Sequence, residues 1–318
     1  MSGLPLLRLE DVSTTASARL LGGGSRAAVR AVSFDVTARR VVALVGESGS
    51  GKHTIGRLIL RRERPMSGRV LLSGEDTTRL CHRARRDYER EVQGVCSCFS
   101  LRPGDDLLSA HGIFMALHRQ YFRTVPPDQW QERVDAALAA VGLDAAELPH
   151  RPLHELSRAQ HQRLRVARAI ALRARLLVVD DLVATAARPA DTDLQILLAN
   201  LRAEGLAVLV LTDDLAFSHS VADDMVILRR GEVVEAGATA QVVGDPRHPY
   251  TRALVRATIG RAPRAAVAGG TGRGRGAPSS PRAPAPGARN GTVDASASRP
   301  APQLVEVEPG HRVADSLR

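Results

Sequence analysis

Apolar residues fall along this chain in two rhythms. Five in succession, Val41 to Val45, predict a strand buried on both faces, and Leu176 to Val179 and Ala207 to Leu211 repeat the signature. Looser alternation over Leu4–Val12, Ala28–Val36 and Arg69–Leu72 predicts half-exposed strands, with another short one at Val226–Leu228. The period lengthens to that of a helix at Trp130–Val141, Arg163–Leu172 and Asp193–Arg202. Arg79–Arg90 is charged and predicted helical; Leu107–Val141 is mostly helical, broken at Pro126-Pro127. Turn residues punctuate the rest: a Gly/Ser-rich loop over Arg19–Arg26, then Pro65-Met66-Ser67-Gly68, Ser73-Gly74 and Arg230-Gly231-Glu232. Strands alternating with helices argue an α/β fold with a parallel sheet, and no internal repeat is present.

From about Arg261 both rhythms stop. Eight of the 18 prolines lie beyond that point, among Gly, Ala, Ser and Arg. Such a stretch buries too little apolar surface to offset its ordering entropy, so residues 261–318 are expected to be mostly disordered. The folded domain is expected over residues 1–260.

The first buried run leads into the densest chemistry of the chain. Gly46-Glu47-Ser48-Gly49-Ser50-Gly51-Lys52 follows Val45, and Ile55, Leu58 and Ile59 then fall at helical spacing. Strand, glycine-rich loop, helix is the context in which GxxxxGK cradles phosphate: the backbone wraps so that successive N–H groups, those of Gly46, Ser48, Gly49, Ser50 and Gly51 among them, face one anion. The helix start adds its positive dipole end. Lys52, the only lysine of the chain, reaches the β- and γ-phosphates. The next residue is His53 where a Ser or Thr hydroxyl would hold Mg²⁺, an ion that prefers hard oxygen ligands. Thr54 has a hydroxyl, but one helical step turns it about 100° away. A second element for phosphate chemistry is Asp180, at the end of the run Leu176–Val179, where a nucleoside triphosphatase holds its Mg²⁺.

Composition narrows the classes. With 318 residues, 44% of them hydrophobic, a substantial core is available, and no apolar run approaches the roughly 18 residues of a membrane span. The start, MSGLPLLRLEDV, lacks the basic and apolar regions of a signal peptide. Three cysteines do not make a disulfide framework and fit a reducing cytosol. The net charge of +10 invites a nucleic-acid reading, but nine arginines against four carboxylates beyond residue 260 supply half of it. With 3% aromatic residues there is little for base stacking, and no nucleic-acid partner is expected.

Between the two phosphate elements lies HELSRAQHQR, His154 to Arg163, and here the chain resembles the ATP-binding subunits of ABC transporters, most closely the dipeptide, oligopeptide and nickel importer branch. VALVGESGSGK matches that branch's phosphate loop. Glu91-Val92-Gln93 with Ser100-Leu101-Arg102-Pro103 resembles its EVQMVFQDP…SLNP segment, HELSRAQHQR its HELSGGQRQR, and Gly244 to Leu254 the DPRHPYTRAL that ends its domain. The resemblance covers nearly the whole length. It implies a RecA-like core, an N-terminal antiparallel β-subdomain and a helical subdomain over about residues 103–168. It also implies ATP with Mg²⁺ as cofactors and a place on the cytoplasmic face of the cell membrane. The implied partners are transmembrane permease subunits, a second ABC ATPase subunit and, indirectly, an extracytoplasmic substrate-binding protein.

The resemblance also marks departures. The family glutamine that reaches the metal aligns with Ser97. The signature LSGGQ reads Leu156-Ser157-Arg158-Ala159-Gln160, keeping Ser157 and Gln160 as phosphate contacts but placing Arg158 where glycine lets the helix approach. DEPTSALD reads Asp180 to Ala187: the catalytic glutamate becomes Asp181 and the D-loop aspartate Ala187. The switch histidine aligns with Asp213, and the adenine-stacking aromatic near Ala16. In the tail, PGHRVA keeps the frame of a cysteine-bearing segment associated with an iron–sulfur cluster, with Ala277, Ala283, Ser298 and Asp315 in the cysteine positions, so no cluster is expected. The reading is an ATP-binding subunit whose own catalytic apparatus is degenerate. A slow working ATPase motor and a nucleotide-independent structural or regulatory protein remain as alternatives.

Overall fold

The computed structural model describes residues 5–15, 27–95, 109–145, 151–180, 197–198, 200–259 and 303–315. Its centre is an eight-stranded sheet. The strands are β3 (Val41–Val45), β6 (Val92–Val95), β7 (Leu176–Asp180), β8 (Ala207–Thr212), β9 (Asp224–Arg229), β10 (Glu232–Ala238), β11 (Leu304–Glu308) and β12 (His311–Ala314), in the order β11-β12-β10-β9-β3-β8-β7-β6. The run from β9 to β6 is parallel, and β10, β12 and β11 join it antiparallel.

The uniform apolar runs follow from burial on both faces. Leu176 and Val178 of β7 enter one core with Leu44 and Leu209, whereas Leu177 and Val179 enter another with Val208 and Val210. The first core is closed by helix α1 (Lys52–Ile59) and by a small antiparallel sheet of order β2-β1-β4-β5, made of β1 (Leu7–Thr15), β2 (Ala27–Val36), β4 (Ser67–Leu72) and β5 (Glu75–Asp76). The second is closed by α3 (Ala110–Tyr121), α4 (Pro127–Ala140) and α5 (Arg158–Ala171) around Trp130 and Phe114, with the Trp130 Nε1–H donating to the Phe114 carbonyl at 3.1 Å. The helical break expected at Pro126-Pro127 is present. A proline inside a helix removes a donor, but in the first turn it costs none, and α4 starts there. The charged stretch forms α2 (His82–Glu91), residues 197–198 and 200–203 are helical (α6), and α7 (Leu215–Val221), α8 (Thr239–Gly244) and α9 (Pro249–Ile259) pack on the edge by β9 and β10.

Within the stretch expected to be mostly disordered, Leu304–Glu308 and His311–Ala314 form a hairpin whose inner strand pairs with β10. Composition averaged over the tail hides this segment, where Val305, Val307 and Val313 restore strand periodicity.

Candidate functional site

The glycine-rich loop runs from the end of β3 to the start of α1, at the carboxyl ends of the parallel strands, where open α/β sheets place their ligands. Its seat is tight. The Gly46 N–H donates to the Thr212 carbonyl at 3.3 Å, and a Cβ on Gly46 would stand 2.3 Å from the Leu228 carbonyl oxygen. Gly51 has φ 109°, a left-handed conformation open to glycine and strained for other residues, and it delivers the chain into α1. The Gly231 N–H donates to the Ser50 carbonyl at 2.8 Å, so the turn between β9 and β10 forms the floor of the loop.

Lys52, 6% exposed, folds back over this loop and donates from Nζ to the carbonyls of Gly46 (2.6 Å) and Glu47 (3.0 Å). Ser50 Oγ is buried without a hydrogen-bond partner, which leaves a polar atom inside the curl for a ligand oxygen. Glu47, Ser48 and Gly49 are exposed at the mouth, and Thr54 is half-buried on the first turn of α1. A phosphate chain fits these donors. Tyr250 of α9 belongs to the same neighbourhood: its ring lies 4.9 Å below the Arg229 guanidinium, and burial first, then the Glu47 charge, push its phenol above the usual value.

The metal position is different. Asp180 closes β7 at 1% exposure, and the His53 Nδ1 is hydrogen-bonded to its Oδ2 across 127 residues of sequence. His53 itself is 53% exposed. Magnesium needs oxygen ligands in octahedral array, and here an imidazole holds one carboxylate oxygen. Among the described residues no three His, Cys, Asp or Glu side chains gather as a metal site.

Asp213 follows β8, exposed to solvent, while its neighbour Asp214 caps α7 by accepting from the Phe217 N–H at 2.9 Å. Ser157 and Gln160 sit at the start of α5 and bond one another. Ser157 Oγ accepts from the Gln160 N–H at 3.2 Å and Gln160 Oε1 from the Ser157 N–H at 2.9 Å, a capping box that the Ser-x-x-Gln spacing encodes. Asp181, Ser97, Ala187, Ala16, Ala277, Ala283 and Ser298 lie outside the described residues, and so does the Arg158 side chain. Thr212 and Gly231 hold the loop through their backbones; the sequence marks Gly231 only as a turn residue, and Thr212 not at all, because its contact is made by a carbonyl that every residue type carries.

A profile described as ABC transporter matches residues 29–184. A Brucella ovis protein named for peptide import ATP binding is 34% identical over 294 residues, covering 88% of each chain. A methionine import ATP-binding protein of Burkholderia pseudomallei is 35% identical over 239 residues, 74% of this chain and 58% of that one. Among solved structures, the dimeric bacterial ABC transporter cassette MJ0796 superposes with a TM-score of 0.63 at 24% identity, over 73% of this chain and 98% of that one. CbiO1 of Clostridium perfringens, part of the ABC transporter complex CbiONQ, gives 0.64 at 20%, over 81% and 97%. Cassette fold, phosphate loop and extended identity agree: this chain belongs to the ABC transporter family.

Proposed function

We propose that this chain is the ATP-binding subunit of a peptide- or nickel-type importer, and that it is the degenerate half of a pair of nucleotide-binding subunits. The observation that carries the reading is a complete phosphate cradle around buried Lys52, set beside an imidazole where the metal-holding hydroxyl belongs. The loop amides from Gly46 to Gly51, with Lys52, His53 and Thr54, hold the phosphates of ATP. Asp180, engaged by His53, holds Mg²⁺ only weakly. When bound, the metal would neutralise phosphate charge. Asp181 and Asp213 stand in the catalytic glutamate and switch-histidine positions. A carboxylate one bond short loses reach, and a second carboxylate repels the γ-phosphate, so hydrolysis here is slow or absent. The tail carries no thiolate for an iron–sulfur cluster.

The peptide side of this reading is supported by the name of the Brucella relative. In an importer the chain lies on the cytoplasmic face of the membrane against permease subunits, which receive cargo from an extracytoplasmic binding protein. Among the described residues no helix is long and apolar enough to cross a membrane. The pair is head to tail, with the start of α5, Ser157 and Gln160 included, facing the partner's γ-phosphate and its dipole aimed at that charge. Residual turnover then sits in the partner's site. The test is a pair of mixed complexes with an intact ATPase subunit. Disabling the partner's glutamate should abolish turnover, and Lys52→Ala here should leave most of it. If Lys52→Ala is the lethal change, this chain supplies the working site and the assignment of halves is reversed.

A further inference from the structure

Glu235 lies in β10 at 0% exposure. A carboxylate so far from water is tolerated only when donors surround it. Its Oε1 accepts from the Arg247 N–H and from His311 Nε2, both at 2.8 Å, and its Oε2 from the His248 N–H at 3.0 Å. Two donors come from the bend before α9. The third comes from the C-terminal hairpin, 76 residues away, and His311 is itself 0% exposed. His248 completes the cluster: burial lowers its pKa, and its Nδ1 accepts from the Tyr250 N–H at 3.1 Å.

The ladder along β10 is interrupted beside Glu235. Its pairing with β9 slips between Val233 and Glu235, so the strand is bulged there. On its other side only Glu235 and Ala236 pair with β12. The carboxylate thus ties the strand to the bend before α9 and to the hairpin at the point where its hydrogen-bond register is interrupted. Four residues upstream, Gly231 donates to Ser50 and accepts from the Arg30 N–H at 2.8 Å, and so carries the floor of the phosphate loop.

We propose that His311 is a positioning residue for the nucleotide site: it completes the donor set of Glu235, Glu235 fixes β10, and β10 fixes the Gly231 turn on which the phosphate loop rests. The C-terminal hairpin is thus a working part of the nucleotide-binding domain. The consequence for ligand binding rests on the proposed nucleotide role of the loop; the mechanical coupling does not.

The full-length chain is compared with His311→Leu, which removes the donor, and His311→Gln, which restores an N–H of similar reach. Two quantities are read: hydrogen exchange at residues 46–52 and 228–238, and affinity for a fluorescent ATP analogue. Losing a charge-assisted hydrogen bond should accelerate exchange at both segments by about tenfold in His311→Leu. The strands β6 and β7 should stay unchanged, and His311→Gln should stay within about twofold of wild type by the same reasoning. Analogue affinity should follow the exchange. Fast exchange at 303–315 with residues 46–52 unaltered would show the hairpin to be an appendage and overturn the proposal. Should His311→Leu fail to fold, a protease site placed between residues 261 and 302 allows the wild-type hairpin to be cut free after folding. It should then co-elute with the domain, and displacing it with excess hairpin peptide carrying His311→Leu should loosen residues 46–52. Displacement without that loosening overturns the proposal equally. If no form binds the analogue, the nucleotide reading falls, and the exchange data still decide the coupling.

Discussion

Replacing His53 by serine tests the metal site most directly. In the wild-type chain Mg²⁺ must displace an imidazole from Asp180 Oδ2 before that oxygen can ligate it. A hydrogen bond to a charged group contributes about 1.5–3 kcal/mol. His53 is 53% exposed, so water screens part of this and the lower end applies, about 1.5 kcal/mol, or roughly tenfold in affinity for the metal. His53→Ser removes the competitor and returns a hydroxyl to the first turn of α1. Magnesium should therefore change ATP affinity by less than about threefold in the wild type and by about tenfold or more in His53→Ser. The assay is titration of a fluorescent ATP analogue in Mg²⁺ and in EDTA, with Lys52→Ala as the control that loses binding in both. A wild-type protein whose affinity already rises tenfold with Mg²⁺ would refute the reasoning, because Asp180 would then be open to the ion despite His53. Equal, metal-independent affinities in both proteins would refute it from the other side.

Three further outcomes follow from particular contacts. Gly46→Ala places a Cβ 2.3 Å from the Leu228 carbonyl oxygen, backbone against backbone, so β3 and β9 must part; overpacking of this kind costs about 3 kcal/mol and should lower the thermal midpoint by several degrees, as calorimetry will show. Asp181→Glu alone should not restore brisk phosphate release, since Asp213 remains in the proposed switch position and His53 on Asp180; rapid turnover from that single change would show that neither of these blocks hydrolysis. Burial, the largest cause, raises the Tyr88 phenol, so its stabilising contribution is complete below about pH 10 and is lost as pH climbs through the raised folded value. Denaturant melts should show this alkaline loss in the wild type and a flatter profile in Tyr88→Phe, which will start about 1 kcal/mol lower for want of the hydroxyl's bond to the Ile59 carbonyl.

The sequence by itself determined what is local. Runs such as Val41–Val45 and Leu176–Val179, short and bounded by turn residues, read as strands covered on both faces, and the glycine loop between a strand and a helix reads as a candidate phosphate cradle. Pro126-Pro127 kept the chain non-helical ahead of α4 and then opened that helix through its own backbone chemistry. Tertiary structure alone decided the long-range polar contacts. Nothing near His53 says that its ring meets Asp180, and nothing in EVVEAGA says that Glu235 is buried, since a glutamate between apolar residues reads equally well as a solvent-facing strand position. The same holds for the hairpin at residues 303–315, which lies within a tail that composition marks as mostly disordered. Periodicity registers which face of an element is apolar, whereas a buried charge is tolerated only once its donors have been gathered from distant segments, and that gathering is a property of the folded chain.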